Sequence, residues 1–211
     1  GAGGNLQIRQ NSRNAIINWD TFSIDAGELT QFRQAMGPNS AVLNRVTGAD
    51  PSSILGTLSS NGRVFLVNPH GIVFGAGSTI NTAGFVASTL NISDADFLAG
   101  RLKFEGGGNG VLRNEGAIRA SGNIFLVGPQ IENAGLIRSD NGSVLLVATS
   151  TADIDSITAA GTGSGTFALG GSVSLNEIHN TVDAHALNAS VEASGSVRLL
   201  ASDNSTSESL A

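Results

Sequence analysis

Few residues in this chain are of types and spacings that do chemistry. Asp94 and Asp96 lie close in sequence to Arg101 and Lys103. Carboxylates beside cations on one face could cleave a glycosidic bond or a polysaccharide. A surface hairpin carrying weak ion pairs accounts for the same four residues more simply. The three histidines are His70, His179 and His185. His179 and His185 are six apart, which fits neither a helical zinc pair nor adjacent strand ligands. His70 has no nucleophile nearby in sequence. Cysteine is absent, so no disulfide or thiolate metal site is available. The residues thus nominate no catalytic group, no cofactor and no metal. An enzyme, with a β-helix polysaccharide-active enzyme as its most concrete form, is the weakest function class.

Charge narrows the partners. Residues 1–148 hold ten acids and ten bases. Residues 149–211 hold seven acids and only Arg198, so the net charge of −6 sits in the last third. There is no basic stripe, which argues against nucleic acid as a partner. No apolar run approaches the roughly 18 residues of a membrane span, and no basic-then-apolar leader opens the chain. The lack of cysteine also suits a chain that crosses a membrane unfolded.

The elements that must position any site announce themselves by repetition. NGRVFLV at 61–67 recurs as GNIFLVG at 122–128 and NGSVLLV at 141–147. Gly62, Gly122 and Gly142 are spaced by 60 and 20 residues, each followed by an apolar alternation: Val64/Leu66, Ile124/Leu126, Val144/Leu146. VLRNEGAIRASGNIFLVG (111–128) aligns with IENAGLIRSDNGSVLLVA (131–148), pairing Asn114 with Asn133 and Ile118 with Ile137 at a spacing of 19. INTAGFVAS (80–88) reads as a further copy of IENAGLIRS (131–139). A period near 20 with strand-like alternation predicts strands stacked rung on rung. Each rung cannot bury its apolar face alone; stacked at about 4.8 Å, successive rungs make one continuous core. Parallel rungs joined this way coil right-handed. The fold class is therefore all-β, a right-handed parallel β-helix (solenoid) with extra-helical hairpins or loops, of about eight to ten rungs less the excursions. Asn114 and Asn133 are candidates for a side-chain amide ladder, and Trp19 for a packed aromatic.

Three stretches break the pattern. AGELTQFRQAM (26–36) reads as a short helix or a strand in a loop. Arg33–Ser53 reads as an excursion, with a turn at Met36–Ser40 and a short helix at Ile54–Leu58 capped by Asp50-Pro51-Ser52-Ser53. Asp94–Phe104, followed by the glycine-rich Glu105–Gly110, reads as a hairpin against the outside of the coil. A boundary falls near 149–165. It divides the chain into 1–148 and a further repeat-like segment, 149–211, which could belong to the same coil or be a fused or truncated adhesive piece.

The sharpest motif is Asn68-Pro69-His70-Gly71-Ile72. Physically it is a β-turn: Pro69 presets φ, Asn68 accepts from the backbone two residues on, and Gly71 closes the turn. Around it, NAIINWDTFSI (14–24), AVLNRVTGADPSSILGTLSSNGRVFLVNPHGIVFG (41–75) and FVASTLNISDADFLAG (85–100) are similar to the secretion domain of two-partner secretion exoproteins, the filamentous-haemagglutinin-like adhesins and haemolysins. The resemblance runs over roughly 5–148. It implies a β-helix near the start of a large exported protein, with further strands and a cap before Asn5. It implies passage through the inner membrane, then recognition in the periplasm by an outer-membrane β-barrel transporter with periplasmic domains. The destination would be the cell surface of a Gram-negative bacterium, or the medium. The family's NPNGI motif maps onto Asn68, Pro69, His70, Gly71 and Ile72, with His70 in place of asparagine. Its NPNL motif falls at Gly37-Pro38-Asn39-Ser40, which departs from it. The other reading is an adhesive binding module whose partner is a host or matrix receptor.

Overall fold

The strands stack as the repeat demands. A computed structural model describes residues 4–149, 153–154, 183–186 and 189–202. Two seven-stranded parallel sheets and one five-stranded parallel sheet form three faces of a coil. The first face stacks Asn5–Gln10, Leu29–Gln34, Thr57–Ser60, Thr79–Thr82, Ala117–Ala120, Leu136–Ser139 and Ser190–Ala193. The second stacks Asn14–Trp19, Ala41–Val46, Arg63–Val67, Gly84–Ser88, Ile124–Gly128, Val144–Thr149 and Val197–Ser202. The third stacks Ser52–Ile54, Ile72–Phe74, Val111–Asn114, Gln130–Asn133 and Asp183–Ala186. The five middle rungs take one strand from each face in turn and the first and last take strands of the first two faces only, so the described residues make seven rungs rather than eight to ten. The expected parallel β-helix is the fold observed. Among the described residues, no helix is long and apolar enough to cross a membrane.

The repeated phrases lie on one another. Ile124 pairs in register with Val144, and Leu126 with Leu146. Between Gly62 and Gly122 lies a hidden rung: Ala83 donates to Gly62 O at 3.0 Å and Gly122 donates to Ala83 O at 2.8 Å. The nominal spacing of 60 is thus two rungs, one lengthened by an excursion. The match of 80–88 to 131–139 does not hold. Ile80 pairs with Ile118 on the first face, whereas Ile131 pairs with Leu112 on the third. Both stretches are an apolar alternation with Asn, Ala and Gly at the bend, and sequence alone does not say which bend.

Alternation sorts each strand's side chains between two apolar layers. Val64, Leu66, Phe85, Ile124, Leu126, Val144 and Leu146 point into the coil. Phe65, Val67, Val86, Phe125, Val127, Leu145 and Val147 point outward from the second face into a separate layer. Fully burying such a side chain stabilises by about 1.5–3 kcal/mol. The exposed ion pairs on the surface contribute about 0–1 kcal/mol each, so apolar stacking holds the fold.

The outer layer explains one departure from expectation. Asp94–Ala99 is an α-helix, not one arm of a hairpin. Ser93 caps it by accepting from Asp96 N at 3.1 Å, and Gly100 ends it at φ 74°. Phe97 drops from the helix onto Phe65, ring centroids 5.1 Å apart. Phe104–Gly107 then returns antiparallel to Leu90–Ile92. Two other expectations are corrected. Residues 26–36 supply a regular strand, Leu29–Gln34, and Arg33–Ser53 contains the core strand Ala41–Val46 rather than an excursion. Residues 54–58 are not a helix: Ser52–Ile54 and Thr57–Ser60 are strands of two faces bent at Leu55-Gly56. A Cβ on Gly56 would lie 2.5 Å from Glu28 O, so the bend packs directly on the rung below.

Candidate functional site: the Asn68–Ile72 turn

The turn joins the second face to the third. Arg63–Val67 ends at Asn68, and Ile72–Phe74 begins the next strand. Asn68 has no exposed surface. Its Nδ2 donates to Asp50 O and to Ser52 Oγ, each at 3.0 Å. Its Oδ1 accepts from His70 N at 3.0 Å, and its carbonyl accepts from Gly71 N at 3.1 Å. The amide therefore uses both donors and its acceptor, as burial requires. The turn also ties into the rungs on either side. Asn68 N donates to Ser88 O and Gly71 O accepts from Ser52 N, both at 3.0 Å.

The five motif residues have separate fates. Gly71 sits at φ 121°, a conformation that a side chain resists. Ile72 is fully buried and stacks between Ser52 and Leu112. Pro69 is half-buried, and His70 stands exposed at the tip. Asn68 and Ile72 are thus structural in the folded coil, while Pro69 and His70 are its only accessible motif side chains. Sequence reasoning missed a second layer over this turn. A Cβ on Gly108 would run into Pro69 O, and one on Gly110 would lie 2.6 Å from His70 C. The glycine-rich run after Phe104 lets the returning chain lie flat against the motif. The cluster of glycines was the available signal.

Gly37-Pro38-Asn39-Ser40 forms a single 3-10 turn at a different corner, between the first and second faces. Ser40 N donates to Gly37 O at 2.9 Å, and the Ser40 hydroxyl is buried without a partner. The structure does not bring this tetrapeptide to the Asn68 turn.

The carboxylates weighed for catalysis are dispersed. Asp94 pairs with Arg45 at 2.7 Å and Asp96 with Arg101 at 2.7 Å, while Lys103 pairs with Glu105 at 3.1 Å. The Ser93 hydroxyl and then the Arg101 guanidinium hold the Asp96 carboxyl below its ordinary range. That is the wrong direction for a general acid at neutral pH. His185 lies in the strand Asp183–Ala186, in register with Glu132, and His179 falls outside the described residues. Among the described residues, no three His, Cys, Asp or Glu gather in a way that could hold a metal ion. Trp19 packs edge-on against Phe22 at 5.3 Å and donates from Nε1 to Asn44 Oδ1 at 3.0 Å, a core role.

Known proteins converge on one class. Residues 2–210 match the family described as the TPS secretion domain, TPS standing for two-partner secretion. A heme/hemopexin-binding protein of Haemophilus influenzae strain Rd is 32% identical over 161 residues, covering 68% of this chain and 17% of that protein. A second heme/hemopexin-binding protein of Haemophilus influenzae is 37% identical over 87 residues, 41% of this chain and 9% of that one. The chain thus spans less than a fifth of the relatives' length. The crystal structure of the HMW1 secretion domain from Haemophilus influenzae superposes with a TM-score of 0.57 at 31% identity, covering 69% of this chain and 51% of that one. With its three-faced parallel coil and its match along nearly the whole length, the chain belongs to the TPS secretion domain family.

Proposed function

We propose that Asn68, Pro69, His70, Gly71 and Ile72 are the part of this secretion domain that its outer-membrane transporter reads, and that it is read before the rung closes. The observation that carries this is the burial of Asn68. A side chain with no accessible surface and three satisfied hydrogen bonds offers a partner nothing once the coil has formed. Export through the periplasm to the surface or the medium comes with the family, as does a dedicated outer-membrane transporter. We infer that this transporter is a β-barrel whose periplasmic domains take up the chain as an added strand. Backbone hydrogen bonds give affinity in that mode and side chains give selectivity. Outside, rungs close one upon another, and burial of Ile, Val, Leu and Phe favours outward movement without ATP. In this reading residues 1–148 carry the export signal and 149–211 begin the exported body.

The test is secretion with co-expressed transporter, paired with refolding of purified protein. Asn68→Ala is expected to abolish appearance in the medium. The unfolded wild-type chain is expected to bind isolated periplasmic domains, and the folded chain is not. Normal secretion of Asn68→Ala, or equal binding of the folded coil, would overturn the proposal.

A further inference from the structure

The first three rungs segregate charge by corner. Arg9 and Arg33 stack in register at the end of the first face, one rung apart. Arg13 lies in the bend that follows, and Arg63 opens the second face two rungs on. The acids of these rungs lie elsewhere: Asp20 and Asp50 at the bend between second and third faces, Asp25 and Glu28 at the bend between third and first. A strand of six residues separates the corners. At about 3.3 Å per residue that is roughly 20 Å, well beyond a Debye length of about 8 Å. The acids therefore do not neutralise the arginines.

Arg9, Arg13, Arg33 and Arg63 are exposed residues, with Arg63 the most enclosed of them, and none forms an ion pair among the described residues. Arg45, Arg101, Lys103, Arg113 and Arg138 do form one, while Arg119, in register with Arg138, and Arg198 do not. Burial first, and then the charge of Arg13, lower the Arg63 pKa, so these two charges feel each other. Arg13 and Arg63 also edge a groove of about 1050 Å³ between the second face and the segment Phe97–Leu102. Its floor is Phe65, Val86 and Phe125, each sealed beneath the surface.

We propose that this corner, with its groove, binds a linear polyanionic glycan bearing sulfate or carboxylate groups. Guanidinium groups repeated along a rung lattice match anions repeated along a polymer, and each fork can take an oxyanion through two hydrogen bonds. Neutral amides flank the charges: Gln7 donates to Gln31 at 2.8 Å, and Arg33 Nε donates to the same Gln31 oxygen at 3.1 Å. A single-stranded nucleic acid fits less well. It binds through exposed aromatic platforms, and among the described residues no aromatic is one of the exposed large apolar side chains.

The experiment measures retention of the folded chain on immobilised heparin against sodium chloride, with unsulfated dextran as the blank. Wild type is expected to bind heparin only, with a slope of log K on log salt of about −3, as four phosphate-like contacts would give. R9Q/R33Q and R13Q/R63Q are each expected to lose about tenfold or more in affinity, and the quadruple variant all of it. R113Q/R138Q, which removes paired cations, is expected to change binding by no more than about twofold. Circular dichroism confirms folding of each. The proposal fails if wild type is not retained, or if R113Q/R138Q loses as much as the corner pairs. It fails equally if poly(dT) of matched charge binds as tightly as heparin, which would make the corner a nucleic-acid site.

Discussion

Replacing Asn114 by alanine should destabilise the coil by several kcal/mol, although the side chain is small and far from any accessible surface. Asn114 and Asn133 end equivalent third-face strands and are 0% and 1% exposed. Asn114 Nδ2 donates to Asn133 Oδ1 at 2.7 Å, and Asn114 Oδ1 accepts from Gly116 N at 3.2 Å. Truncation removes one amide–amide bond, worth about 1 kcal/mol net. It also orphans two buried groups, the Asn133 oxygen and the Gly116 N–H, at about 1–3 kcal/mol each. The expected loss is about 3–7 kcal/mol, a large part of a typical stability of about 5–15 kcal/mol. Urea unfolding followed by circular dichroism measures it. A double-mutant cycle sharpens the test, because Asn133→Ala removes the orphaned acceptor. The double variant should be less destabilised than the sum by about 1–2 kcal/mol. A loss under about 0.5 kcal/mol for Asn114→Ala, or strict additivity in the cycle, would refute the ladder as a stabilising element.

Phe97→Ala should cost about 3–4 kcal/mol by emptying the site against Phe65; the helix Asp94–Ala99 should then become sensitive to protease while the three parallel faces keep their hydrogen-exchange protection. The Asp96 carboxyl, held low by Ser93 and Arg101, should titrate in NMR below the ordinary aspartate range. Because its folded pKa is depressed, the stabilisation is present above the unfolded value and is lost as pH falls through the folded one. The helix cap should therefore loosen only in strongly acidic solution, and Ser93→Ala should move the Asp96 titration upward.

What sequence could reveal depended on whether the rung pattern ran through apolar or polar residues. The second face was legible because Val64/Leu66, Ile124/Leu126 and Val144/Leu146 all alternate without a polar interruption. The Asn68 turn was legible because Pro69 and Gly71 dictate local geometry whatever lies around them. Leu29–Gln34 was obscured by its inward Gln34, which in sequence looks like a solvated residue. In the coil Gln34 Nε2 donates to Gln10 Oε1 at 2.7 Å, and its Oε1 accepts from Ser60 Oγ at 2.7 Å. A buried amide stack thus stood in for the apolar residue that a search for alternation needs. The helix at Asp94–Ala99 was read as a hairpin from Phe97, Leu102 and Phe104, although Ser93 three residues before Asp96 and Gly100 after Ala99 were helix start and stop signals. The unpaired arginine corner was invisible for a simpler reason: Arg9, Arg13, Arg33 and Arg63 are scattered in the chain, and only the coil's pitch gathers them.

Arg45 has an effect on the order of events. From the second rung its Nη2 reaches Asp94 Oδ1 and Ile92 O, both at 2.7 Å, in a segment that leaves the fourth rung. Asn14, one rung lower, likewise donates to Leu98 O at 3.4 Å. These latches span intervening coils and cannot snap shut until the segment 92–98 has folded back over the rungs beneath it. Once shut, they bind the first two rungs to the fourth along the axis of the coil, a direction in which the stacking of neighbouring strands alone makes no such tie.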